Sequence, residues 1–191
     1  MFKLLKKSTY LSLIAKNNQL KEQLLESKNE KEKLSLKLYS SVKRNERIEY
    51  IINDCLVGSN ELKQCFTNKE VPVILSFSHS KTIRRINIAI YDIDTSNLFK
   101  QHSLILYAQM VDKEMIFIED ILGGESKGHG KLAMQRLFEF AKKNHFKIVR
   151  GIISQGDKNH HDRLKFFYES LGFDFVVDDT HNGFIQKIIS E

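Results

Sequence analysis

The sequence predicts a mixed α+β domain preceded by a long N-terminal helix. Three patterns indicate this class: a heptad repeat of apolar residues over 13–55, short strand-like apolar runs between residues 71 and 122, and two amphipathic segments that alternate with further strand-like runs. A cluster of turn-forming residues at 57–60 follows the heptads. We therefore expect a helical coiled-coil segment over 1–56 and one globular domain over 57–191.

Length and composition narrow the class of protein. The chain has 191 residues, of which 41% are apolar, which is enough for one cored domain with an extension. Cys55 and Cys65 are too few and too isolated for a disulfide framework or a zinc site, which favours a reducing compartment. The apolar core of the N-terminus, residues 10–15, is too short for a signal peptide, and no stretch reaches transmembrane length. We expect a cytoplasmic protein without a membrane span.

The N-terminal segment carries a narrow apolar seam. Apolar residues recur at alternating spacings of four and three, without Gly or Pro before Gly58. The apolar seam positions are Leu13, Leu20, Leu24, Leu34, Leu38, Ile48, Ile52 and Cys55. Ser27 and Lys31 make the middle of the seam polar. The pattern predicts a coiled coil that forms a parallel homodimer through residues 13–55, and a single long helix packed on the domain is the alternative.

The positive charge of the chain belongs to this segment. Residues 1–56 hold twelve Lys and Arg against seven Asp and Glu, whereas residues 57–191 hold eighteen against seventeen, for a total of +6. A basic helix can bind nucleic acid or an anionic surface. Here Glu residues interleave with the lysines and the aromatic residues are scattered, which favours a solvated coiled-coil surface over a nucleic-acid partner.

The globular part shows strands before helices. Four apolar runs are predicted strands, the last two forming a hairpin around a polar turn at 112–114: residues 71–77, 86–91, 104–111 and 115–122. The predicted elements that follow are a helix over 127–144, a strand over 147–153, a helix over 162–171 and strands over 173–177 and 184–189. Gly172 is the expected C-terminal cap of the second helix.

A glycine-rich turn, residues 123–130, joins the last hairpin strand to the first of these helices. Unpaired N–H groups of a first helical turn attract an anion, and Gly128 and Gly130 let a ligand approach the backbone closely. A Walker P-loop is excluded because no hydroxyl residue follows Lys131. A dinucleotide-binding unit is disfavoured because the following strand lacks a ribose-binding acid. The turn therefore predicts a phosphate or pyrophosphate site.

A second motif narrows this prediction. Lys127-Gly128-His129-Gly130 is followed, some forty residues later, by Phe-Tyr-Glu-Ser-Leu-Gly-Phe at residues 167–173. In this order and separation the two motifs resemble the GNAT superfamily of N-acetyltransferases, over roughly residues 60–190. Glu125 stands where the family usually has Gln or Arg.

The resemblance implies a GNAT-like mixed, mostly antiparallel sheet flanked by helices, with acetyl-CoA as co-substrate. In the family the glycine turn binds the pyrophosphate, a splayed strand pairs with the pantetheine arm, and an Asn often precedes the motif tyrosine by seven residues, where this chain has His161. The implied cofactor-binding residues are Ile121, Leu122, Gly123, Lys127, Gly128, His129, Gly130, Lys131 and His161.

The resemblance also implies the catalytic groups. An amine must lose a proton to attack a thioester, and the departing thiolate must gain one. Glu119, near the strand end, matches the family's base, with Asp120 expected on the opposite face of the strand. Tyr168 matches the tyrosine that donates a proton to the coenzyme A sulfur. No cysteine lies near either motif, so we expect direct attack rather than an acetyl-enzyme.

The prediction is an N-acetyltransferase acting on a primary amine and dimerised by its coiled coil. Two alternatives stay open: a non-catalytic coenzyme A-binding or scaffold module, and a nucleic-acid-associated protein that uses the basic coil. No metal is expected, because adjacent histidines at 160–161 point apart and do not converge with Asp157. The acceptor is undetermined, since residues 60–110 carry no readable motif.

Overall fold

A computed structural model describes residues 2–55, 58, 61–95, 101–124 and 126–190, with side chains from residue 9 onward. The chain divides into two compact units, Met1–Glu46 and Arg47–Glu191. The predicted turn at 57–60 lies almost wholly outside the described residues, as does Glu125.

The N-terminal helix is confirmed. Helix α1 spans Phe2–Cys55 without interruption. In the first unit the seam leucines from Leu13 to Leu38 are exposed, so the unit presents an apolar stripe. The coiled coil and its dimer stay predictions. Within the described part of the chain, no helix combines the length and the apolar character needed to cross a bilayer.

The second unit is built on one eight-stranded sheet. The strands are β1 Glu61–Phe66, β2 Pro72–Ser80, β3 Arg85–Asp92, β4 Leu104–Met110, β5 Met115–Gly123, β6 Ile148–Ile153, β7 Asp174–Val177 and β8 Gly183–Ile188. Their spatial order is β1-β2-β3-β4-β5-β6-β8-β7, and only β5 and β6 pair in parallel. Helices α2 His129–Lys143 and α3 His161–Ser170 complete the unit, with a 3-10 helix at Gln155–His160. The predicted mixed, mostly antiparallel α+β class is confirmed.

Two faces of the sheet are covered differently. The main core lies between the sheet and α2, whose buried side chains include Met134, Leu137 and Phe140. On the other face, Ile51 and Cys55 from the end of α1 pack against a smaller apolar patch of the sheet, namely Ile74, Ala89, Tyr91 and Ile93. The last turns of α1 thus belong to the globular unit.

Strand β1 and the 3-10 helix were not predicted from the sequence. Strand β1 is exposed along most of its length, so it lacks the apolar alternation that identifies a strand in a sequence. The 3-10 helix begins after Ser154, whose hydroxyl and backbone N–H are both bonded to Asp157. Such a local side-chain turn leaves no apolar periodicity.

Candidate active site

The glycine turn connects β5 to α2 through left-handed backbone. Gly123, Gly124 and Gly128 have φ angles of 88°, 93° and 88°. Gly128 occupies the N-cap position of α2 and has no side chain with which to cap it. The N–H groups of residues 129–131, which have no intrahelical acceptor in a first turn, are therefore left for another partner. The predicted strand, glycine turn and helix start are all observed.

Neighbouring loops hold this turn in shape. The Gly124 N–H donates to the Ser103 carbonyl at 2.9 Å, and Lys69 Nζ donates to the Ser126 carbonyl at 2.6 Å. A Cβ at Gly128 would overlap Asn68 Oδ1. These contacts hold Gly124, Ser126 and Gly128 in place without a ligand, which lowers the entropy lost on binding.

A buried carboxylate lies beside the turn. Asp92, at the end of β3, is 2.7 Å from His129 Nε2 and accepts a hydrogen bond from Lys127 Nζ at 3.1 Å. The side chains of Asp92 and His129 are 3% and 0% exposed. Burial alone would raise the pKa of Asp92, but the Lys127 hydrogen bond and the His129 charge outweigh it, so this pKa lies below its ordinary value. The sequence contained no signal for this pairing, because its members are far apart along the chain.

The contacts of Asp92 with Lys127 and His129 limit how these two predicted cofactor-binding residues can act. The His129 imidazole is committed to Asp92, so this residue offers a ligand its backbone N–H rather than its ring. Part of the Lys127 charge is balanced by the same carboxylate. Lys131 is exposed on the first turn of α2.

The two sequence motifs meet in space. A Cβ at Gly130 would lie 3.1 Å from the Phe167 ring, so α3 packs directly on the first turn of α2. Helix α3 ends at Ser170, and the predicted terminating glycine, Gly172, follows it with φ 78°. Its N–H donates to the Glu169 carbonyl, and the next N–H, of Phe173, donates to the Tyr168 carbonyl. This pair of bonds is the Schellman arrangement that satisfies the last carbonyls of a helix.

Tyr168 is buried at this junction. It is 7% exposed, and its ring lies edge-on to Phe167 and Phe173 at centroid distances of 5.0 and 5.5 Å. Burial, with smaller contributions from the charges of Asp157 and Asp120, raises its pKa to about 12. The phenol therefore keeps its proton at neutral pH, as a proton donor must.

This raised pKa predicts a pH-dependent contribution to stability. A group whose pKa is raised by folding stabilises the fold fully below its ordinary pKa, here 10, and loses that contribution as pH rises toward 12. Tyr168→Phe should therefore flatten the fall in unfolding free energy between pH 10 and 12, measured by urea titration. Tyr91, whose pKa is also raised by burial, should cause the part of the fall in unfolding free energy that remains in the variant. A Tyr168→Phe profile identical to that of wild type would contradict this prediction.

Strands β5 and β6 separate at the same end of the sheet. Their pairing runs from Met115 opposite Ile148 to Ile118 opposite Gly151 and then stops, although β5 continues to Gly123. Residues 121–123 pair with β4 on one edge only. The other edge faces the gap between the strands. The Ile121 N–H already donates to Asp120 Oδ1 at 2.7 Å, so the remaining N–H and C=O groups of that edge can pair with an extended ligand.

A β-bulge positions the predicted base. Tyr107 pairs with Asp120 and Ala108 with Ile118, so Glu119 is the extra residue. The Glu119 carboxylate is 3.8 Å from Arg85 Nε, and Asp120 pairs with Tyr107 on the face that bears Arg85. The expected placement of Glu119 and Asp120 on opposite faces is therefore wrong, because the bulge interrupts the two-residue alternation of the strand.

Polar side chains continue across this face of the sheet. Ser78, Asn87, Tyr107 and Asp120 are consecutive cross-strand partners on β2 to β5, so their side chains share one face. The side-chain oxygen of Asn87 is buried without a hydrogen-bond partner among the described residues. A row of this kind can hydrogen-bond a polar ligand beside Glu119.

His161 contacts the C-terminal hairpin. It is the first residue of α3, and its ring is edge-on to Phe175 and tilted against His181. Its position favours packing against the C-terminal hairpin. In the described residues, no group of three His, Cys, Asp or Glu side chains is arranged to hold a metal ion.

Comparisons with known proteins give limited matches. No protein-family model matches the chain. An uncharacterized protein, YocC, from Bacillus subtilis (strain 168) is 38% identical over 76 residues, which cover 39% of this chain and 46% of that protein. The match thus spans less than half of that relative's length.

The solved structures that resemble the chain are remote in sequence. An acetyltransferase from Streptococcus agalactiae 2603 is 14% identical, with a TM-score of 0.45 over 58% of this chain and 70% of that one. The ribosomal-protein-S18-alanine N-acetyltransferase from Escherichia coli is 16% identical, with a TM-score of 0.43 over 56% and 71%. An acetyltransferase of the GNAT family from Staphylococcus aureus Mu50 is 12% identical, with a TM-score of 0.45 over 57% and 71%.

Proposed function

We propose that this protein is a GNAT-like N-acetyltransferase that transfers the acetyl group of acetyl-CoA to a primary amine by direct attack. The observation that carries the proposal is the contact of the two motifs: Gly130 packs on Phe167 at the end of the sheet where β5 and β6 separate. An anion site, an open strand edge and a buried phenol thereby lie at one end of one domain.

The turn fits the pyrophosphate of acetyl-CoA. The uncapped N–H groups of residues 129–131 and the positive end of the α2 dipole attract a polyanion, and Lys131 adds an exposed cation. Gly128 lacks the Cβ that would overlap Asn68 Oδ1, so the turn can pack against the loop at 67–69. Residues 121–123 would hold the pantetheine arm through the edge of β5 that faces the gap.

The acyl transfer needs three proton movements. Glu119 would take a proton from the acceptor ammonium and release it to solvent. The freed amine nitrogen would then form a bond to the acetyl carbon as the carbon–sulfur bond breaks, and Tyr168 would give its proton to the departing thiolate. The nitrogen, which is cationic once bonded to carbon, would lose a second proton, and Tyr168 would be reprotonated through solvent. The raised pKa keeps the Tyr168 phenol protonated at neutral pH but also makes it a weaker acid, so the donor role rests on the matching motif and on its position beside the glycine turn.

The acceptor would bind on the polar face beside the bulge. Glu119 and Asp120 supply negative charge for an ammonium, and Asn87 supplies a buried oxygen for which the described residues provide no hydrogen-bond donor. An N–H or O–H of the acceptor would provide that donor, and an unmet buried acceptor costs about 1–3 kcal/mol.

Two measurements test the function. Calorimetry with coenzyme A should give saturable binding of one molecule per chain. Thiol release from acetyl-CoA should then rise when a panel of polyamines, amino sugars, amino acids and peptides is added. Binding without any amine-dependent release would favour a non-catalytic coenzyme A module, and no binding by folded protein would refute the proposal.

We also propose that the seam of α1 forms a homodimer. Leu24 and Leu38 lie on the exposed seam, and a polar partner at such positions disfavours a coiled coil. Leu24→Asp/Leu38→Asp should halve the mass measured by sedimentation equilibrium. The matched control is Leu25→Asp/Leu36→Asp, at exposed positions off the seam, which should leave the mass unchanged. A monomeric wild-type protein, or equal effects of both pairs, would contradict the dimer.

A further inference from the structure

A cavity lies at the opposite end of β5 from the glycine turn. Its volume is about 410 Å³. It is lined by residues of the β2–β3 and β4–β5 turns and of the end of α2: His79, Lys81, Arg84, Met110, Asp112, Lys113, Phe140, Asn144 and Phe146. Because β5 begins beside this cavity at Met115 and reaches the turn only at Gly123, the cavity is separate from the glycine turn.

The floor of the cavity is apolar and aromatic. Met110, Phe140 and Phe146 belong to the main core. The Phe140 and Phe146 rings are stacked, with centroids 6.1 Å apart and planes inclined by 26°. The His79 ring lies 5.1 Å from that of Phe140. A flat apolar ring would find ring faces and edges to contact here.

The rim of the cavity is cationic. Lys81, Arg84 and Lys113 project from two different turns, and Lys81 and Lys113 make no ion pair within the described residues. The Arg84 guanidinium donates to the Val111 carbonyl at 2.9 Å, which ties the two turns together and leaves further donors of its fork unused by that bond.

The acid at this rim does not cancel the positive charge. Asp112 Oδ1 accepts hydrogen bonds from the N–H groups of Glu114 and Met115 at 2.7 and 2.8 Å, so it closes the β4–β5 turn. One carboxylate against three cations leaves a net positive rim. The negative end of the α2 dipole favours nearby cations, but Lys142 and Lys143 in the last turn of α2 already meet it. The dipole therefore does not explain the three cations of the rim.

We infer that this cavity is a binding site for a small organic anion with a flat apolar ring. The volume falls in the range of ligand pockets, and the lining combines an apolar floor with a few charged groups of one sign. The ring would lie on Phe140 and Phe146, and the anionic group would meet Lys81, Arg84 and Lys113. The inference does not depend on acetyl transfer.

The test uses the full-length protein and the anionic dye 8-anilinonaphthalene-1-sulfonate. Its fluorescence should rise saturably, and Lys81→Glu/Lys113→Glu should weaken binding about tenfold, because two attractions near the surface become repulsions. The matched control, Lys63→Glu/Lys165→Glu, changes the net charge equally at exposed positions elsewhere and should bind the dye as wild type does. Circular dichroism verifies that both variants are folded.

Competition separates this cavity from the other surfaces of the protein. Benzenesulfonate, an anion with a flat ring, should displace the dye. The inference is overturned if binding is not saturable, if the two double variants bind the dye equally, or if benzenesulfonate does not displace the dye. Equal binding would place the dye on another apolar surface, such as the exposed seam of α1.

Discussion

Glu119→Gln should lower kcat/KM for the amine by about 10²–10⁴-fold, the range for loss of a general base. The amide is isosteric and still accepts a hydrogen bond, but it cannot take a proton from the ammonium. The affinity for coenzyme A should be unchanged, because Glu119 lies on the bulge and not on the glycine turn. Steady-state thiol release and calorimetry measure the two quantities separately.

Comparing Glu119→Gln with Asp120→Asn decides which of the two carboxylates is the base. Asp120 is the next residue, it pairs with Tyr107 on the same face, and its charge also acts on Tyr168. If Glu119 is the base, Asp120→Asn should keep most of the activity, and only Glu119→Gln should be rescued by raising the pH. The opposite pattern would assign the base to Asp120. Glu139→Gln, on the exposed side of α2, controls for loss of a surface charge.

Gly128→Ala should weaken coenzyme A binding by at least about tenfold and lower the unfolding free energy by about 1–2 kcal/mol or more. At φ 88° the left-handed conformation alone costs an L-residue roughly 1–2 kcal/mol. The added methyl would also overlap Asn68 Oδ1 and lie 3.1 Å from Thr67 Cβ, so the Asn68 side chain must rotate away and Thr67 or the turn must shift slightly. A shift of the turn moves the N–H groups that would bind the pyrophosphate.

Gly156→Ala is the matched control, since this glycine lacks a positive φ and its Cβ would meet only the Ser154 hydroxyl at 3.3 Å. It should change neither quantity appreciably. Asn68→Ala combined with Gly128→Ala should recover part of the stability, because it removes the overlap and leaves only the backbone strain. Unaltered coenzyme A affinity in a folded Gly128→Ala variant would exclude the turn as the pyrophosphate site.

Local features of the molecule could be predicted from the sequence because they depend on neighbours along the chain. The apolar periodicity of α2, the end of α3 at Gly172 and the uninterrupted α1 are all set within a few residues. The alternating apolar runs identified the central strands for the same reason. The glycine turn belongs to this group, since left-handed backbone favours residues without a Cβ.

The arrangement of the site was decided by tertiary structure. The Asp92 contacts with Lys127 and His129 join residues more than thirty positions apart, and the packing of Gly130 on Phe167 depends on how two helices meet on one sheet. The bulge at Glu119 arises from the pairing of β5 with β4, and no pattern in β5 alone reveals it. Sequence periodicity determines which face of an element is apolar. Only packing and strand register determine which charged groups approach one another, because those contacts join distant parts of the chain.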